Sequence, residues 1–170
     1  MTSLRAALAA VAALALQSPA FAGERGSGWI GAIVPPYPDG TRETQGICIG
    51  RVDAPGGICG HALAVVDDAQ GGLRTVLALR AAKHFGEGPL WQVVDALEPD
   101  ALADRDIGVA VATCQVDGRE DGHAFALVRP AEAEWLPALQ AWRFDTATGR
   151  LHEVPAATVR CLNEGFGYDG

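Results

Sequence analysis

Beyond residue 22 the chain has one serine, Ser27, and no Gly-x-Ser-x-Gly. A serine hydrolase needs an activated serine held in a strained turn, so that class is excluded. There is no Cys-x-x-Cys and no His-x-x-x-His. The compact ligand spacings of zinc sites are therefore missing, apart from Cys59-Gly-His61. The pairs Gly56-Gly57 and Gly71-Gly72 lack a following Lys-Ser/Thr or a helix start, which rules out a phosphate cradle. After residue 22 no apolar run is long enough to cross a bilayer as a helix. Basic charge is also scarce: 13 Lys and Arg against 21 Asp and Glu give a net charge of -8. Such a surface repels nucleic acid and anionic lipid, and suits a basic protein or a cationic ligand.

Residues 1–22 read as a secretory signal peptide. Arg5 and the amino terminus supply positive charge, Ala6 to Leu16 is a short apolar run, and Ser18-Pro-Ala-Phe-Ala22 offers small residues for a cut after Ala22. An uncleaved anchor is the alternative. No cysteine stands at the cut, so a lipid-modified terminus is not supported. Residues 23–170 then form a single mature globular domain, long enough for a real core. The alanine-rich leader has a bacterial style, and the expected location is periplasmic or extracellular.

Cys48, Cys59, Cys114 and Cys161 make an even count, which in an exported chain favours disulfides over a free nucleophile. Three pairings are open, and a zinc site competes with them. Cys48–Cys59 with Cys114–Cys161 is preferred, because each closes a local unit. The first would loop around Asp53-Ala-Pro55. The second would tie the first strand of the carboxy-terminal half to the last.

Hydrophobic patterning predicts a mainly β chain. Ile107 to Val116, His123 to Arg129, Ala141 to Asp145, Arg150 to Val154 and Val159 to Leu162 read as strands. Asp117 to Gly122 is a six-residue turn, and Thr146 to Gly149 is the loop of the clearest hairpin. Glu132 to Leu139 reads as one helical turn interrupted at Pro137. Earlier, Gly28 to Val34, His61 to Val66 and Pro89 to Leu97 read as strands. Leu73 to Phe85 is open between strand and helix, with strand favoured for Leu73 to Arg80. Turn signals recur every ten to fifteen residues without long helices between them. The expected architecture is a disulfide-stapled antiparallel sandwich or small barrel with at most one or two short helices.

No complete catalytic set is present, and neither a metal nor a cofactor is implied. Asp117-Gly-Arg-Glu-Asp-Gly122 has acids at positions 1 and 5 of a calcium loop but Arg119 at position 3 and Val128 at position 12, so it reads as a solvated turn. His123 and His152 lie on neighbouring expected hairpins and can meet across the sheet. With Asp117, Asp121 or Glu153 they form the candidate acid–base or weak metal group. Trp29, Trp91, Trp135 and Trp142 would stack on envelope glycans if they shared a face, and Trp135 is the one expected to be partly exposed. The tail after Cys161 either folds on a partner or caps the sheet by burying Phe166.

The segments Cys114…Asp117-Gly…Ala126-Leu-Val-Arg129, Ala141-Trp-Arg-Phe-Asp145 and Val159-Arg-Cys-Leu-Asn-Glu-Gly165 resemble small exported proteins of Gram-negative bacteria whose function is uncharacterised. The resemblance covers the carboxy-terminal half. It implies an exported, disulfide-containing domain and carries over no catalytic residue. Size, export and acidity also suit periplasmic lysozyme inhibitors, although no inhibitory-loop motif of that class is found. The functional expectation is a non-enzymatic binding protein of the cell envelope, its partner a basic envelope protein or a cell-wall glycan. The alternatives are a metal- or glycan-dependent hydrolase using the surface His and Asp residues, and a structural component of an envelope assembly.

Overall fold

The computed structural model describes residues 24–26, 28–50, 59–70, 74–85 and 88–167. The expected signal peptide, the loop around 51–58 and the Gly71-Gly72 pair lie outside the described residues. The strands are β1 (Glu24–Arg25), β2 (Ile33–Val34), β3 (Thr41–Ile49), β4 (His61–Asp68), β5 (Arg74–Phe85), β6 (Gly88–Glu98), β7 (Gly108–Val111), β8 (Cys114–Val116), β9 (Arg119–Glu120), β10 (Ala124–Val128), β11 (Trp135–Asp145), β12 (Arg150–Val154) and β13 (Val159–Leu162). Two short 3₁₀ segments, Asp100–Ala103 and Ala156–Thr158, complete the described elements.

All strand pairs are antiparallel. One sheet runs β1-β6-β5-β4-β3, with β2 also on β6. The other runs β7-β10-β11-β13-β8-β9, with β12 on β11. The fold is thus mainly β, in two antiparallel sheets, as the patterning predicts. The second sheet curls into a half-barrel: β8 and β13 lie beyond β11, yet Cys114, Val159 and Cys161 pack with Ala124, Ala126 and Val128 of β10. Cys114 and Cys161 face each other in register and are disulfide-bonded. The other disulfide is Cys48–Cys59.

The main core lies between the sheets. Leu63, Val65, Val76 and Ala78 meet Phe125, Leu127, Trp142 and Phe144 there, with Phe125 stacked on Trp142 at 5.4 Å between ring centroids. The alternate residues of β4 and β5 are apolar too, because the first sheet is covered on both faces. Ala62, Ala64, Val66, Leu77 and Leu79 face outward beneath Trp29, Ala32, Tyr37 and Trp91.

Two polar ties fix one sheet on the other. Asp95 of β6 is fully buried: its Oδ2 accepts the Leu151 N–H at 3.0 Å, its Oδ1 accepts the Ala96 N–H at 3.1 Å, and Arg150 Nη1 lies 3.7 Å from Oδ1. Arg74 of β5 donates to the Ile107 carbonyl at 3.0 Å while its Nε lies 3.5 Å from Asp67. The second tie holds the start of β7.

Four expectations are corrected. The strand read over Ile107 to Val116 is broken at Ala112, where φ is +59°. The break sends β7 to β10 and β8 to β13. The six-residue turn is a tight hairpin: Asp117 and Gly118 both take positive φ, and Arg119–Glu120 already pairs with β8. No helical turn occupies Glu132 to Leu139. Instead β11 pairs with β13 from Trp135 to Pro137 and with β10 from Ala138 onward. Pro137 lies past the end of the β10 ladder, so its missing N–H breaks no bond to β10. Of the strand read over Gly28 to Val34 only Ile33–Val34 is extended, after a turn at Gly28 to Gly31.

Candidate functional site

Asp117, Asp121 and His123 come together around the β8–β9 hairpin. With Arg119, Glu120 and Arg143 they line a polar cleft of about 760 Å³. The Asp121 carboxylate is already engaged: Arg143 Nε donates to Oδ2 at 2.7 Å and the His123 N–H to Oδ1 at 3.0 Å. Partial burial raises its pKa, but these bonds and the Arg143 charge outweigh it, and the net position is below the usual carboxylate value. Asp121 is thus an ionised acceptor, unsuited to act as a general acid near neutral pH.

The structure does not bring His152 to His123. His152 faces Arg143 across the β11–β12 ladder, and His123 lies opposite Phe144, one residue further along β11. His123 sits in the turn before β10, and His152 is not among the residues that line its cleft. His152 and Glu153 are exposed, and His152 Nε2 lies 4.0 Å from Asp145. Among the described residues no group of three or more His, Cys, Asp or Glu is placed to hold a metal ion.

His123 instead has a histidine neighbour that sequence spacing cannot show. His61 opens β4 in the first sheet, and its ring meets Phe144 edge-on at 5.7 Å. His123 Nδ1 lies 3.2 Å from the Phe144 carbonyl. A carbonyl only accepts, so Nδ1 carries the proton and Nε2 of the neutral ring is left as an acceptor. The His61 pKa is below the ordinary 6.5, first through partial burial, then through the Arg80 charge and the neighbouring His123. The folded chain therefore binds this proton less readily than the unfolded chain does. The His61 contribution to stability is complete above about pH 6.5 and diminishes as the pH falls below it. Replacing His61 by Gln should flatten the stability curve between about pH 7 and about pH 5 in urea titrations. An unchanged slope would show that His61 does not titrate with unfolding.

The four tryptophans are not gathered on one face. Trp142 is buried in the main core, Trp29 and Trp91 pack on the outer face of the first sheet, and Trp135 is half-buried with the Arg160 guanidinium 4.7 Å over its ring. Nor does the tail bury Phe166, which is exposed.

What the tail does form is one wall of a second cleft, of about 490 Å³. Its lining is mostly apolar: Ile47 of β3, Val109 and Val111 of β7, Val128, Leu136 and Leu162. Glu164 supplies its charge, with Gln45, Thr113 and Asn163 as neutral polar groups. Asn163 pins the tail in place: its side-chain amide donates to the Ala131 and Ala133 carbonyls, each at 3.0 Å, and its N–H to Glu134 O at 2.8 Å. The cleft lies where the two sheets end. β3 is the edge of the first sheet and β7 the edge of the second. Ile47 and Leu162 remain 36% and 38% exposed within it. Sequence reasoning missed this site, because five separate segments build it.

The chain has no significant match among protein-family models, curated proteins or solved structures.

Proposed function

We propose that the protein is an exported, non-enzymatic binding domain of the cell envelope, and that the edge cleft is its contact surface. One observation carries the reading: an apolar cleft is walled by two strands that, among the described residues, are the edges of two different sheets. Exposed apolar lining beside unpaired backbone is a liability that an isolated domain normally covers. A partner that covers it gains both burial and backbone hydrogen bonds. Two disulfides suit an oxidising compartment, and the resemblance to small exported Gram-negative proteins points the same way. Hydrolysis at the His123 cleft gains no comparable support, since Asp121 is engaged by Arg143 and His152 does not line the cleft.

Native mass spectrometry of protein recovered from the exporting cell tests this. The expected species has lost residues 1–22, contains both disulfides and retains a bound peptide or protein. A variant carrying Ile47→Lys and Leu162→Lys, both at exposed positions, should fold and lose that partner. Equal retention by the variant, or a bound divalent metal in place of a partner, would overturn the reading.

A further inference from the structure

We infer that the occupant of the edge cleft is an extended segment with alternating basic and apolar side chains, which adds as a strand to β7. The inference rests on the binding reading above and specifies how it is achieved. The backbone argument comes first. Ala112 N–H donates to Ala124 O at 3.1 Å, and Ala110 and Gly108 follow at two-residue steps opposite Ala126 and Val128. In an antiparallel ladder the backbone groups of successive residues alternate between the two sides. The N–H and C=O groups of Val109 and Val111 therefore point away from β10, and both residues line the cleft. They offer an incoming strand a matched set of donors and acceptors.

The edge is also unguarded. Natural sheets discourage strand addition with charged edge residues. β3 carries Arg42 and Glu43, β9 is Arg119–Glu120, and β12 carries Arg150 and Glu153. The run Gly108-Val-Ala-Val111 carries no charge and no proline.

The third argument is electrostatic. The charged group lining the cleft is Glu164, on a chain of net charge -8. A second copy of this chain would bring the same negative charge to the contact, whereas a basic segment is drawn to it. Side chains of an added strand alternate between its two faces, so apolar groups can enter the cleft while a basic one meets Glu164.

The probe is a short synthetic peptide alternating lysine and valine, with a glutamate–valine peptide as control, added to the full mature protein. Binding of the first peptide should weaken at least tenfold when salt is raised from low to physiological strength. The second should not bind detectably. Hydrogen exchange read by NMR should slow at the Val109 and Val111 amides when the lysine–valine peptide is present. Binding that is lost in an Ile47→Lys, Leu162→Lys variant but leaves these two amides unprotected would overturn strand addition and leave the contact surface standing. Binding unaffected by that variant would overturn both. Equal binding of the glutamate–valine peptide would overturn the charge argument. Concentration-dependent protection of the two amides without peptide would identify a second copy as the occupant instead.

Discussion

Replacing Cys114 and Cys161 together by alanine should lower the unfolding free energy by about 4 kcal/mol, the value expected for a cross-link over a loop of 47 residues. The Cys48–Cys59 bond spans 11 residues, and its removal should cost about 3 kcal/mol. The order of the two losses is the informative part. Cys114 and Cys161 are buried on facing strands, among the side chains that fill the half-barrel. Alanine in both places also leaves sulfur-sized gaps there, which adds to the loss. Paired urea titrations of the two double variants measure it. A loss for Cys114/Cys161 no larger than that for Cys48/Cys59 would show that β8 and β13 are held by packing and ladder bonds alone.

The Asp95→Ala variant should lose about 3 kcal/mol, since each hydrogen bond from an N–H to a carboxylate is worth about 1.5–3 kcal/mol. Asp95 has no exposure to water, and its removal leaves the Leu151 N–H inside the protein without its acceptor. Arg150 is half-exposed, and water can solvate its charge once Asp95 is gone. Arg150→Ala should therefore cost far less than Asp95→Ala, although both break the same ion pair. Asn at position 95 keeps an acceptor for Leu151 and should fall between the two. Thermal and urea unfolding of the three variants test this. Equal losses for Asp95→Ala and Arg150→Ala would mean that the ion pair, rather than the bond to Leu151, joins the sheets.

The strand pattern was legible where local chemistry and tertiary packing agree. The β11–β12 hairpin is the clearest case. Asp145 Oδ1 accepts the Ala147 N–H at 2.9 Å, its Oδ2 accepts the Thr148 hydroxyl at 2.9 Å, and Gly149 takes a φ of +70°. The Thr148 hydroxyl and the Ala147 N–H, the chief causes, also hold the Asp145 pKa below the carboxylate norm. Each of these turn residues is readable in the sequence. Within Leu73 to Phe85 a strand was favoured over a helix for Leu73 to Arg80 for a similar reason, and the strand observed is the longer Arg74–Phe85.

Elsewhere the deciding force is long-range. Alanine, glutamate and proline over Glu132 to Leu139 read as a helical turn, yet Leu136 is buried against Cys161 of the facing strand. The break at Ala112 has no local signal, because alanine rarely takes positive φ and adopts it here only where the chain crosses the half-barrel. The neighbourhood of His61 and His123 depends on how two sheets stack, which spacing along one chain does not encode. For His123 and His152 the reading placed both on neighbouring hairpins, but His123 falls in the turn before β10, and the cleft it lines does not include His152. The edge cleft was hidden for a related reason. Its walls are defined by what ends there, and the end of a sheet is a property of the assembled topology.

The central claim is that this protein meets its partner at the edge cleft. Site-specific photo-crosslinking in the exporting cell tests it most directly. A photoreactive residue at position 47 lies in the cleft, and one at position 33 lies on β2, paired with β6 of the first sheet. The native side chains at these positions are exposed to similar extents, 36% and 46%. The account predicts a discrete adduct from position 47, abolished by Leu162→Lys, and none from position 33. An adduct from position 33 alone, or the same adduct from both, would place the contact elsewhere and contradict it.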